Sequence, residues 1–235
     1  MEQIYTIPVN EAFDASVKEK CTCPFCTIFS KLEKNEIDMI TGAAMMEPSV
    51  RMETNEKGFC KRHFDMMMDS GNRLSVALIM ESHLETLKGK LKGSFLNTIT
   101  GTKGTNALKK AGEVSEKCYV CEKVEFHFEK MFETCVYLYD TSPDFKAKFK
   151  SQPMFCLPHY TRLLECAKNK LDRRKFIAFY NDVSEAENAY IAKLKDDVSW
   201  FCKKFDYRYE NEPWNDSKDA PERTVNFLCS KTDAK

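Results

Sequence analysis

Cys23-Pro24-Phe25-Cys26 and Gly58-Phe59-Cys60-Lys61-Arg62-His63-Phe64, with 33 residues between Cys26 and Cys60, carry the information that sets how this chain folds. The pattern recurs as Cys118-Tyr119-Val120-Cys121 and Met154-Phe155-Cys156-Leu157-Pro158-His159-Tyr160, with 34 residues between Cys121 and Cys156. Both read CxxC, a long gap, then aromatic-Cys-x-x-His-aromatic. The CxxC pairs lie 95 positions apart and the histidines 96. A match of that kind predicts an internal duplication into two related halves.

Each half carries three cysteines and one histidine, a full ligand set for a closed tetrahedral zinc site. Two ligands at i and i+3 on a first helical turn point to one side, so each short motif bites one ion. The predicted ligands are Cys23, Cys26, Cys60, His63, Cys118, Cys121, Cys156 and His159, holding two zinc ions per chain. Whether each half closes its own site or the halves exchange ligands is open at this level. With four protein ligands no position remains for water, so the sites read as structural and no catalytic residue is assigned. An iron–sulfur cluster on Cys3His ligands is the alternative occupant. A thioredoxin-like reading of Cys23–Cys26 needs a preceding strand, whereas Glu11–Lys20 reads as a short polar helix. Thr27 and Glu122 stand where a c-type haem site needs histidine.

Composition agrees. Eleven cysteines in 235 residues is an odd and high count, and the N-terminus MEQIYTIPVNEAF has neither a basic nor an apolar signal region. The expected location is the cytoplasm, where metal or thiol chemistry outranks a disulfide framework. Eight glycines and eight prolines are few for this length and favour long helices. Lysine plus arginine equals aspartate plus glutamate at 36 each, which argues against a general nucleic-acid or polybasic membrane binder. No apolar run is long enough to span a membrane, and no phosphate loop, nucleotide fingerprint or Ser/His/Asp set is present.

Pro24 opens a predicted helix to about Met45, and Pro48 with Glu53–Lys57 reads as a connection. The apolar spacing from Phe64 to Leu91 predicts one long helix starting at the Cys60–His63 bite. Residues 86–112 hold five glycines, six lysines and no acid, and read as a linker with a basic patch as its functional alternative. A helix over Tyr119–Asp140, a break at Ser142-Pro143 and a helix from Pro158 follow. The stripe Phe179, Val183, Ala186 or Glu187, Tyr190, Leu194, Phe201 and Phe205 predicts a long bundle helix. A last helix spans Asp216–Leu228, capped by Asn215 or Asp216. Cys135, Cys166 and Cys202 are expected in the core, Cys229 outside, and Cys21 beside a ligand set. His83 and His127 read as ordinary polar residues.

The Gly58–Phe64 and Phe155–Tyr160 segments, with the tail Lys204-Phe205-Asp206-Tyr207-Arg208, Pro213-Trp214 and Lys218-Asp219-Ala220, resemble an uncharacterised bacterial domain-of-unknown-function family. Some of its members carry the label of ABC transporter substrate-binding protein. The resemblance implies a helical protein with paired Cys/His motifs and supports the same eight ligands. The expectation is an all-α bundle of two pseudo-repeated halves, 1–100 and 101–235, each with a CxxC…CxxH metal site and the second with a tail helix. The expected role is that of a zinc-bearing, non-enzymatic scaffold or interaction protein whose partner is another protein. A thiol-based redox or metal-responsive regulator is the alternative.

Overall fold

The computed structural model describes residues 3–19, 22–92, 112 and 117–230. Among these the chain is all-α, with ten α-helices, four short 3-10 turns and no strand. The helices are α1 (Thr6–Glu19), α2 (Pro24–Thr41), α3 (Pro48–Lys57), α4 (Lys61–Asp69), α5 (Arg73–Lys92), α6 (Tyr119–Thr141), α7 (Pro143–Lys150), α8 (Leu157–Lys170), α9 (Arg173–Lys203) and α10 (Ala220–Cys229). No helix of the described residues is long and apolar enough to cross a membrane.

Two compact units are nested in the chain. One joins residues 1–30 to 128–235, and the other is the intervening 31–127. The units do not follow the expected division at residue 100, because both termini contribute to the first.

In the discontinuous unit, α1 buries Val9, Ala12, Phe13 and Ser16, one face at helical spacing. Phe13 enters an aromatic core with Phe145, Phe149 and Phe155, at ring centroid distances of 5.0, 6.0 and 6.1 Å. Phe25 stacks on Phe132 at 4.0 Å, and Phe29 meets Phe128 edge-on at 5.3 Å. Rising positions on α2 thus meet falling positions on α6, so the two helices pack antiparallel. Ser142 caps α7 by accepting from Phe145 N–H, and Asp172 caps α9 through Arg174 and Lys175 N–H. On α9 the buried stripe is Phe179, Val183, Glu187 and Leu194, so the carboxyl-bearing Glu187, not Ala186, fills the core-facing gap.

Glu187 Oε1 accepts from Phe155 N–H at 3.1 Å, and its Oε2 is buried without a hydrogen-bond partner. Burial pushes its carboxyl up to about 8, against the opposing pull of that N–H. The folded protein therefore holds Glu187 protonated where the unfolded chain would ionise it. Its contribution is fully present below the ordinary glutamate range and is lost as pH rises through about 8. Denaturant melts should show lower stability at pH 9 than at pH 5.5, and Glu187→Gln should flatten that dependence by a few kcal/mol.

The tail docks on its own bundle. Trp200 Nε1 donates to Pro213 O at 2.9 Å, and Lys204 Nζ donates to the carbonyls of Tyr209, Glu210 and Glu212. Arg223 anchors α10 through Asp197 at 2.9 Å and Asp219 at 3.0 Å. The last helix starts at Ala220 rather than Asp216, because Asn215 adopts φ +51° and Asn215–Ser217 form a separate 3-10 turn. Cys135 and Cys166 are buried as expected. Cys202 is exposed, since it lies in the final turn of α9 beyond Leu194, the last buried residue of that helix.

In the continuous unit, the segment read as a connection is the helix α3, which packs against α5. Pro48 stands at its first turn, where a missing N–H is tolerated. Arg51 donates to Leu78 O at 3.1 Å and Ser82 donates to Asn55 at 2.9 Å, fixing its polar face. The single helix expected from Cys60 to Leu91 is two, α4 and α5. Gly71 at φ +82° turns the chain between them, and Asn72 accepts from Ser75 N–H and donates to Thr41 O. α5 continues to Lys92, so it takes in the start of the expected linker, most of which, with Cys21, lies outside the described residues.

Candidate metal centres

Each of the four short motifs starts a helix. Cys23, Cys60, Cys118 and Cys156 immediately precede α2, α4, α6 and α8, and the second ligand falls three residues on, in the first turn. The carbonyls of these four cysteines accept the first helical hydrogen bonds, from Thr27, Phe64, Glu122 and Tyr160 N–H at 3.3, 3.0, 3.1 and 2.8 Å. Cys60 and Cys156 have the extended backbone of N-cap residues. A helix start thus aims both ligands of a pair to one side, and its unpaired N–H groups favour negative sulfur.

The eight residues gather into two groups of four, and the pairs are exchanged between the halves. Cys23 and Cys26 meet Cys156 and His159, while Cys60 and His63 meet Cys118 and Cys121; within each group the ligand atoms lie within 4.8 Å of one another. Both groups have the expected Cys3His composition, and each combines one CxxC with one CxxH. The outer motifs of the chain close one group and the inner motifs the other. Each group lies within one compact unit, the outer group in the discontinuous unit and the inner group in the continuous one.

Distances fit one tetrahedral ion. Bonds of about 2.3 Å to sulfur and 2.0–2.1 Å to nitrogen place neighbouring sulfurs about 3.8 Å apart, and sulfur about 3.5 Å from nitrogen. In the outer group Cys26 Sγ is 3.7 Å from Cys156 Sγ, and His159 Nδ1 is 3.5, 3.5 and 3.1 Å from Cys23, Cys26 and Cys156 Sγ. In the inner group Cys60 Sγ is 3.9 Å from Cys121 Sγ, and His63 Nδ1 is 3.2, 3.2 and 3.4 Å from Cys60, Cys118 and Cys121 Sγ. Both histidines present Nδ1, the ring nitrogen nearer the backbone.

The surroundings of the two groups differ. All four outer residues are buried in the aromatic core, with His159 beside the Phe25, Phe128 and Phe132 rings at 6.1, 5.3 and 6.1 Å. His159 Nε2 is buried without a hydrogen-bond partner, and Ser230 Oγ lies 3.1 Å from Cys26 Sγ. Hydrogen bonds from Cys156 and Cys23 drive Cys26 strongly toward thiolate, while burial pushes the Cys23 thiol up.

The inner group is wetter and is backed by charge. His63 Nε2 is 2.9 Å from Glu33 Oε1, and Arg62 binds the same carboxylate through Nε at 2.9 Å and Nη2 at 2.6 Å. A carboxylate behind a ligating histidine fixes its tautomer and raises its basicity. Burial lowers the basicity of His63, but Cys118 and Glu33 outweigh it and lift its pKa to about 10. Cys118 falls to about 6 despite burial, through His63 and the backbone N–H groups of Cys121 and Cys60. Gly58 joins the two bites: at φ +65° its carbonyl accepts Tyr119 N–H at 2.9 Å, and a Cβ there would meet the His83 ring at 2.9 Å. Cys60 is half-buried and Cys121 exposed.

Of the residues around the ligands, Gly58 and Arg62 lie inside the quoted motif. Glu33 and Ser230 carry no sequence signal, because only folding brings them to a ligand. Glu33→Gln should weaken metal binding at the inner group about 10–100-fold by chelator competition and leave the outer group unchanged.

These features define an all-helical protein with two Cys/His groups able to hold a metal ion. The chain belongs to DUF6062, a family of unknown function, whose model matches residues 1–235. No curated protein and no solved structure matches it.

Proposed function

We propose that this chain is a zinc protein with two structural sites, which stabilise a non-enzymatic helical scaffold that binds another protein in the cytoplasm. The observation that carries the metal reading is the spacing of the donor atoms, two sets of three sulfurs and one nitrogen within 4.8 Å. That spacing favours one ion per set over an iron–sulfur cluster, which distributes its ligands over two or more irons. Sulfur-rich tetrahedral sites favour zinc among the available divalent metals. Three thiolates on a divalent ion leave one negative charge, which the two facing helix N-termini at each site stabilise. Four protein donors give the closed coordination of a structural site. The scaffold role rests on this closure and on the lack of any catalytic constellation among the sequence motifs.

Elemental analysis of full-length protein purified anaerobically tests the metal. Two zinc ions per chain are expected, in a colourless sample. Iron with acid-labile sulfide, or absorbance near 400 nm, would replace zinc by a cluster.

A further inference from the structure

We propose that the inner group, Cys60–His63–Cys118–Cys121, is a peroxide-sensitive modification site. There, Cys60 and Cys121 form a disulfide and expel the ion, while the outer group keeps its own. The proposal rests on the zinc reading above and adds a reaction confined to one of the two groups.

Sulfur proximity is common to both groups. Each has a sulfur pair joining its two bites, Cys26–Cys156 at 3.7 Å and Cys60–Cys121 at 3.9 Å. In both, a shift of under 2 Å brings the atoms to the disulfide bond length of about 2.05 Å. Access separates them. Cys23, Cys26 and Cys156 are buried among phenylalanine rings, whereas Cys121 is exposed and Cys60 is half-buried. Oxidation of cysteine needs a thiolate that a peroxide can reach. A metal-bound sulfur supplies the thiolate, and only the inner group supplies the reach.

The step balances with a hydroperoxide as two-electron oxidant. Cys121 thiolate attacks one peroxide oxygen, the O–O bond breaks, and hydroxide (or an alkoxide) leaves, giving a sulfenic acid at Cys121. Cys60 thiolate then attacks that sulfur, forming the S–S bond and releasing a second hydroxide. The two sulfurs lose two electrons in total, and the peroxide gains them. The zinc ion leaves with its charge unchanged, since only Cys118 and His63 remain to hold it. The disulfide then links α4 to the start of α6 in place of the ion.

The test uses full-length protein whose metal content is counted first. It is treated stepwise with hydrogen peroxide beside a chromogenic zinc chelator, and its peptides are mapped without reduction. The expected result is release of one of two zinc ions together with a Cys60–Cys121 crosslink, both reversed by dithiothreitol and added zinc. A Cys202→Ser/Cys229→Ser variant, which removes the exposed thiols among the described residues that belong to neither group, should behave identically. Release of both ions together, a Cys26–Cys156 crosslink at equal or lower peroxide, or no Cys60–Cys121 crosslink would overturn the proposal. A chain that holds no zinc at the outset overturns the zinc reading instead, and the crosslink map still decides which group peroxide reaches.

Discussion

Cys26→Ser combined with Cys156→Ser is expected to remove one metal ion from the protein, whereas Cys26→Ser combined with Cys60→Ser is expected to remove both. Residues 26 and 156 are 130 positions apart but share one ion, while residues 26 and 60 belong to different groups. Were each half to close its own site, the two double variants would exchange outcomes. The thermal consequence should be large in either outer-group variant. Structural zinc sites in peptides bind with apparent free energies of about 10–16 kcal/mol at neutral pH, comparable with the whole stability of an ordinary domain. The outer ion would tether α2 to α8 inside the discontinuous unit. Losing about 4 kcal/mol of that tether corresponds to a fall in Tm of about 8–16 °C. Metal content by elemental analysis and unfolding by circular dichroism read both effects on the same samples.

Phe25→Ala should destabilise the discontinuous unit by about 3–5 kcal/mol while leaving the inner metal in place. Phe25 is fully buried between the two ligands of the first bite. It stacks on Phe132 at 4.0 Å, meets Phe13 edge-on at 5.9 Å and lies 6.1 Å from both Phe155 and the His159 ring. Truncation leaves a cavity bordered by large rigid rings that cannot collapse into it, the condition under which such losses are greatest. Chelator competition should show a weaker outer site, because the removed ring helps to position His159. The same substitution at Phe205, which is 76% exposed, should change Tm by little.

Distance along the chain separates what was legible in the residues from what was not. The ligands, their pairing within each three-residue bite and the helix that each bite starts were legible, because a helical first turn is local and Cys-x-x-Cys or Cys-x-x-His maps onto it directly. The all-helical class was legible for a related reason: scarce glycine and proline, with apolar residues at helical spacing, leave few alternatives. Where the reading erred locally, a single backbone torsion decided, as at Gly71, which splits α4 from α5, and Asn215, which delays α10. In Glu53–Lys57 the polar composition concealed a helix, because α3 is held by side-chain bonds to α5 rather than by an apolar face of its own.

The donor set, four bites of fixed geometry at four helix starts, is local and follows from the residues alone. Which bites share an ion was decided by tertiary structure alone. Packing within each compact unit is a property of the assembled chain, and it brings each bite to a partner from the other half. The same assembly set the characters of the two groups: phenylalanine rings close around one, while Glu33, Arg62 and open solvent border the other.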